Sequence, residues 1–143
     1  MMQYYTKVLA YIICNDMLLV FRHQDNPEAG IQVPAGTVEP GEGIEDALYR
    51  EIEEESGIQR KELRLVKHLK TYLYYAEYKQ QYHERHVYQL ELMEDYPSYW
   101  EHTIQSSGED LGLVFEYFWI PVQTAELAGG QGDGLDLCSS GMS

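Results

Sequence analysis

An α/β fold built on a mixed β-sheet is what this 143-residue sequence predicts, and three observations predict it. Strand-like apolar segments lie both before and after one strongly marked helix. They do not alternate with further helices, as a doubly wound parallel sheet would require. The chain is long enough to bury one sizeable core, with no repeats and no internal boundary. That pattern fits a single domain over residues 1–128 and a glycine-rich tail over 129–143.

In chain order, residues 7–13 (KVLAYII) and 17–22 (MLLVFR) read as strands joined at Asn15-Asp16. A loop through Pro27 and Gly30 leads to a short apolar strand, 31–35, which delivers Gly36 to the segment that follows. Pro40-Gly41 is turn chemistry, with proline presetting φ and glycine accepting positive φ. A helix then starts near Gly43, and Gly57 sits where a left-handed C′ residue would end it. Residues 63–78 and 85–92 suggest a long hairpin around Gln80-Gln81, and 113–122 a further strand. Residues 98–112, SYWEHTIQSSGEDLG, have the composition of a loop able to close over a ligand. The second face of the sheet needs its own cover. Only 122–128 or 135–138 remain for a helix there, and the GGQGDG run from Gly129 interrupts them.

The helix carries an electrostatic problem. At about 100° per residue, Ile44, Ala47, Leu48, Glu51 and Glu55 fall along one stripe that starts apolar and ends acidic. Glu51 and Glu55 are like charges at i,i+4, and with Glu54 they crowd a helix C-terminus whose dipole is already negative. In a cleft the repulsion grows: two charges roughly 5.5 Å apart at an effective dielectric near 20 interact by about 3 kcal/mol. A hard divalent cation resolves this, because Mg²⁺ takes oxygen ligands, one or two carboxylates among them, and keeps room for water and phosphate. A solvated acidic helix end is the plainer alternative, since Glu45, Asp46 and Glu53 make the helix acidic all round. Gly36 likewise reads either as a point of close backbone approach or as an ordinary turn glycine.

The run GTVEPGEGIEDALYREIEEESGI, from Gly36 to Ile58, places Gly36, Glu42, Arg50, Glu51, Ile52, Glu54, Glu55, Gly57 and Ile58 at fixed spacing. It resembles the box of the Nudix hydrolases at every defining position. The resemblance implies an α/β/α sandwich and a magnesium-dependent hydrolase, with manganese as an alternative metal, acting on a nucleoside diphosphate linked to another group. It further implies that Glu51, Glu54 and Glu55 ligate metal with the backbone carbonyl of Gly36, that Arg50 orients Glu51, and that Glu42 braces the loop against the helix. The base that activates water is Glu51, or else Glu109 or Asp110 of a later loop, since similar enzymes draw it from either place. On the residues alone, Arg50 is also simply an i,i+4 partner of Glu54. A nucleotide-sensing member without turnover would be expected to lack a box glutamate, and none is missing here.

Substrate signals are sparser. Thirteen tyrosines include Tyr72, Tyr74, Tyr75 and Tyr78 close together, suited to stacking a base or to ordinary strand packing. In similar enzymes a proline about sixteen residues after the box accompanies ADP-ribose hydrolysis and a tyrosine there accompanies dinucleoside polyphosphates. This chain has Tyr74 and Tyr75 in that neighbourhood and no proline before Pro97. The implied substrate is a dinucleoside polyphosphate or nucleoside triphosphate, ahead of ADP-ribose or a nucleotide sugar. Trp100 is a candidate for base stacking and His102 for phosphate contact, although edge-strand residues would look the same. His83 and His86, at i,i+3, make a poor metal pair in a strand of period two.

Composition narrows the class further. A formal net charge of -14 with only ten Lys and Arg argues against binding a nucleic-acid polymer. Eight of the twenty-four acids fall between Glu39 and Glu55, so part of the excess belongs to the proposed metal site. No apolar run approaches the ~20 residues that span a bilayer, and the opening residues lack a basic start and a cleavable pattern. Cys14 and Cys138 make no metal spacing and no disulfide framework. These features suggest a small cytoplasmic protein free of membrane partners, with a homodimer as one option for its assembly.

Overall fold

The structure, a computed structural model, describes residues 3–105 and 111–138. Its elements are β1 (Gln3–Cys14), β2 (Met17–His23), β3 (Ala35–Thr37), α1 (Ile44–Ser56), β4 (Leu63–Ala76), β5 (Gln81–Leu92), β6 (Tyr99–Thr103) and β7 (Val114–Pro121). The strands form one mixed sheet in the order β4-β5-β1-β2-β7-β6, with β3 paired to β1 off that path. The long β1–β5 ladder is parallel, and all other pairings are antiparallel.

β1 and β2 follow from the two runs that predicted them. Val8 to Ile13 are buried on both faces, as the unbroken apolar run requires of a central strand. Asn15 and Asp16 take φ of 52° and 62°, the left-handed pair that a two-residue hairpin demands and that Asn and Asp tolerate. Only Ile13 and Cys14 pair with β2; beyond them the two strands part, and residues 32–37 wedge between. Gln32 exchanges backbone bonds with Phe21 on one side, and Pro34 accepts from Ala10 on the other. The regular strand in this stretch is therefore Ala35–Thr37 and not 31–35, because the ladder to β1 runs through Lys7–Thr37, Val8–Gly36 and Leu9–Ala35.

Alternation divides the core into two layers. Val8, Ala10, Ile12, Leu19, Phe21, Leu90 and Tyr117 meet Ala47, Leu48 and Ile52 of α1 on one face. Leu9, Tyr11, Ile13, Val20 and Val87 pack on the other face against Val122, Leu127 and Leu135. That second cover is not an α-helix: Val122–Thr124 and Ala128–Leu137 are 3₁₀ turns, the latter broken where Gly129 and Gly130 adopt positive φ. Side chains of the sheet hold it down. The Tyr11 hydroxyl donates to the Gln131 carbonyl and accepts from Gly134 N, while Tyr72 donates to the Gly130 carbonyl at 2.8 Å.

Of the segment expected as a loop, 98–112, residues 106–110 lie outside the described residues, and Tyr99–Thr103 is a strand instead. Tyr99–Thr103 pairs with β7 along the sheet edge, so Trp100 and His102 stand on a rigid element. Their i,i+2 spacing places them together on the α1 face. No helix among the described residues is long and apolar enough to cross a membrane.

Candidate active site

The loop before α1 folds as its turn residues dictate. Gly41 has φ of +80° after Pro40, and Glu42 N donates to the Glu39 carbonyl at 3.0 Å, closing a type II turn. This brings the Glu42 carboxylate onto Arg50, which grips it with two parallel bonds, Nε to Oε2 at 2.8 Å and the second amino group to Oε1 at 2.9 Å. The same guanidinium donates to the Thr37 carbonyl at 2.9 Å, to Glu51 Oε1 at 2.7 Å and to Glu54 Oε2 at 3.2 Å. One arginine thus ties loop, strand β3 and helix together. It holds Glu42 down to about 2, and Glu42 in turn raises the already high pKa of Arg50.

The other end of the helix has no basic residue in its last turn. Three side chains from β6 and β7 take over the orphan carbonyls. His102 Nε2 donates to the Glu54 carbonyl at 3.0 Å, Tyr117 OH to that of Glu55 at 2.8 Å, and Trp100 Nε1 to that of Ser56 at 3.1 Å. Trp100 is stacked on Tyr117, centroids 5.1 Å apart. Gly57 ends the helix at φ +85°. The turn that carries the glutamates is therefore pinned at the backbone by rings the box does not contain.

Glu51, Glu55, Gly36 and Thr37 line a cavity of about 420 Å³. Glu51 can lie where it does only over a glycine: a Cβ built at Gly36 would fall 1.9 Å from Glu51 Cδ and Oε2. Glu51 Oε1 is taken by Arg50, so Oε2 is the oxygen that lies over Gly36. Burial pushes the Glu51 carboxyl up to about 7 against the opposing pull of Arg50. Glu55 Oε1 accepts from Ala35 N at 3.2 Å. Across the cavity stand Lys7 of β1, His83 and Arg85 of β5, Lys79 and Gln131. Lys7 donates to Thr37 Oγ1 at 2.6 Å, and burial followed by Lys79 lowers its pKa.

The expected site residues separate into groups. Gly36, Glu51 and Glu55 meet at this cavity, while Glu54 faces a second one of about 650 Å³ with Arg50, Glu53 and His102. Tyr74 reaches the first cavity through Arg85, whose guanidinium lies 3.8 Å from its ring centroid. Tyr75 points to the opposite face, against Tyr82. Trp100 is engaged at the helix end, and Glu109 and Asp110 lie outside the described residues. His83 and His86 fall on opposite faces: His83 lines the cavity, whereas His86 bonds Glu84 and Thr71.

Among the described residues, no three acidic, histidine or cysteine side chains already converge as a cage for a metal ion. The donor chemistry nevertheless fits a hard divalent cation. Two carboxylates and a backbone approach at glycine share one polar cavity, and a third carboxylate is bridged to Glu51 by Arg50 NH1. Lys7, Arg85 and Gln131 were not singled out from sequence. The one signal for Arg85 was a cation on the strand face that also carries Val87, and nothing local marked Gln131.

The solved structures most informative for this architecture share it at low identity. The MutT NUDIX hydrolase of Burkholderia pseudomallei superposes with a TM-score of 0.65 at 21% identity, over 96% of this chain and 99% of that one. The dihydroneopterin triphosphate pyrophosphohydrolase of E. coli gives 0.66 at 20% identity, over 94% and 95%. Among curated relatives, the RNA pyrophosphohydrolase of Cronobacter sakazakii is 35% identical over 71 residues, half of this chain and 40% of that protein. The NUDIX domain family model matches residues 4–136, the sheet, the box and nearly all of the C-terminal cover together. A match that spans the sheet, the helix and the cavity between them shows that this chain belongs to the NUDIX domain family.

Proposed function

We propose that this protein hydrolyses the diphosphate bridge of a nucleoside diphosphate linked to a second group, releasing a nucleoside monophosphate and the phosphorylated partner. The observation that carries the proposal is the placement of Glu51: a buried carboxyl with one oxygen fixed by Arg50 and the other held over Gly36 at the cavity wall. A carboxylate held in that position can take a proton from an attacking water and return it. Arg50 fixes the orientation of the carboxyl, and Glu42 fixes Arg50. Glu51, Glu55 and, joined to Glu51 through Arg50, Glu54, with the Gly36 carbonyl, would hold magnesium or manganese. The metal, when bound, supplies charge neutralisation between carboxylates and phosphate oxygens and a more acidic water.

The substrate class we favour is a dinucleoside polyphosphate or nucleoside triphosphate, acted on in the cytoplasm. The curated RNA pyrophosphohydrolases match over only about 40% of their length, and ten basic residues against twenty-four acidic ones offer little footprint for a polymer backbone. A panel containing these nucleotides, ADP-ribose, a nucleotide sugar and a 5′-triphosphate RNA, scored for monophosphate and phosphate release with magnesium, tests the proposal. Glu54→Gln is expected to lower turnover by more than the roughly 10–100-fold that losing an outer partner costs, with the melting temperature kept. Full activity in that variant would sink the site assignment.

A further inference from the structure

The wall facing the glutamates poses a problem of the opposite sign. Lys7 and Arg85 are direct partners in the parallel β1–β5 ladder, so two like charges stand side by side on one sheet face. Lys79 joins them, which places three of the ten basic residues of a strongly acidic chain around one cavity. Arg85 is only 8% exposed. Its guanidinium bonds the Gly129 carbonyl at 2.7 Å and the Tyr72 hydroxyl at 3.2 Å and lies on the Tyr74 ring. Those neutral partners satisfy donors without cancelling charge, and no carboxylate pairs with Arg85 among the described residues. A buried cation of this kind is costly unless an anion joins it. The neighbouring imidazole reports the same field: His83 is held down to about 4 by burial and then by Lys7, Arg85 and Lys79.

The C-terminal cover completes this wall. Gln131, also 8% exposed, accepts Val33 N on its side-chain oxygen at 2.8 Å. That bond fixes the amide so that its nitrogen is left as a donor at the cavity it lines. The cavity is therefore acidic on one side and rich in cations and donors on the other. A diphosphate bridged to the glutamates uses only the first side; a neutral ribose in the remaining space would leave Arg85 unpaired.

We propose that Arg85 and Lys7, with Lys79 and the Gln131 amide beside them, form a subsite for a phosphate lying beyond the hydrolysed bridge. Substrates then carry three or more phosphates in a row, and diphosphate-linked sugars are poor ones. This assignment rests on the diphosphate hydrolase reading for its kinetic consequence but not for its binding consequence.

The test starts from metal-free protein in chelator, with inorganic tripolyphosphate as the probe, followed by calorimetry and by the shift in melting temperature. Wild-type protein should bind tripolyphosphate and melt higher with it. Arg85→Met and Lys7→Met should each weaken binding by about tenfold or more, and Arg85→Lys by less than Arg85→Met. Should Arg85→Met fail to fold, Lys7→Met and Arg85→Lys carry the comparison. In the kinetic arm, Lys7→Met should raise KM for a nucleoside triphosphate by about tenfold more than it raises KM for ADP-ribose. No tripolyphosphate binding by wild-type protein at millimolar concentration, or equal binding by the folded variants, overturns the subsite. If wild-type protein binds tripolyphosphate through these residues but hydrolyses no member of the panel, the subsite stands and the hydrolase proposal falls.

Discussion

At the scale of single residues, two glutamates of one motif are driven in opposite directions by their surroundings. Glu42, held down to about 2 by Arg50, contributes stability that is present above its ordinary value near 4.5 and lost only as pH falls through about 2. Glu51, pushed up to about 7 by burial, behaves in reverse. Its contribution is complete below about 4.5 and is lost as pH rises through about 7, because the folded protein must then ionise a buried carboxyl. In chelator the wild type should lose on the order of 2–3 kcal/mol through this group across that window. His83, held down to about 4, gives a slope of opposite sign nearby, so the readout is the difference between wild type and Glu51→Gln in urea unfolding at several pH values. Identical pH profiles would contradict the burial argument. Gly36→Ala is a second residue-scale case. The Glu51 side chain can swing away from the new methyl, so the expected result is a fold kept within about 1 kcal/mol and turnover reduced severely, measured on the same preparation.

At the scale of elements, α1 was legible because its signals are local. Apolar spacing, the Pro40-Gly41 turn and Gly57 each act within a few residues, and the helix runs Ile44–Ser56 as they require. The buried stripe differs in one detail: Ile52 and Ser56 lie inward with Ala47 and Leu48, and Glu51 and Glu55 flank it toward the cavity. β6 was not legible as a strand. Its Ser, Gly and acidic neighbours carry loop composition, and what makes Tyr99–Thr103 a strand is the ladder offered by β7, a partner more than ten residues away. This matters for Trp100, which reads from sequence as a stacking platform and serves in the fold as a donor to the end of α1. Trp100→Phe keeps a ring on Tyr117 and removes the bond to the Ser56 carbonyl. A loss of about 1 kcal/mol with a reduced kcat is expected. A raised KM alone, with stability unchanged, would favour direct contact with the base.

The whole molecule decides the second wall of the cavity and the cover behind it. Tyr11 is fully buried, and its hydroxyl links the Gln131 carbonyl to Gly134 N. Tyr11→Phe would leave both backbone groups short of a partner, at a cost of about 1–3 kcal/mol. Hydrogen exchange should then rise first at residues 128–137, and affinity for a phosphate chain should fall with the displacement of Gln131. Unchanged exchange there would mean that side-chain packing alone seats the cover. The same dependence on distant partners explains why the glycine run looks, in sequence, only like an interruption. Gly130 leaves the Tyr74 ring room that a Cβ would occupy, 2.9 Å from Cε1, and that reason lies far away in sequence.

By itself the sequence determined the elements whose causes are short-range: the central apolar strands, the Asn15-Asp16 hairpin, the turn, the helix and its stop, and through the box spacing the family. Only the tertiary structure decided which side chains oppose the glutamates, which rings close the helix, and that 3₁₀ turns cover the second face. The physical reason is range. Propensity, capping and turn chemistry are written in neighbouring residues, whereas burial of a charge and complementarity across a cavity arise only where strands distant in sequence are laid side by side.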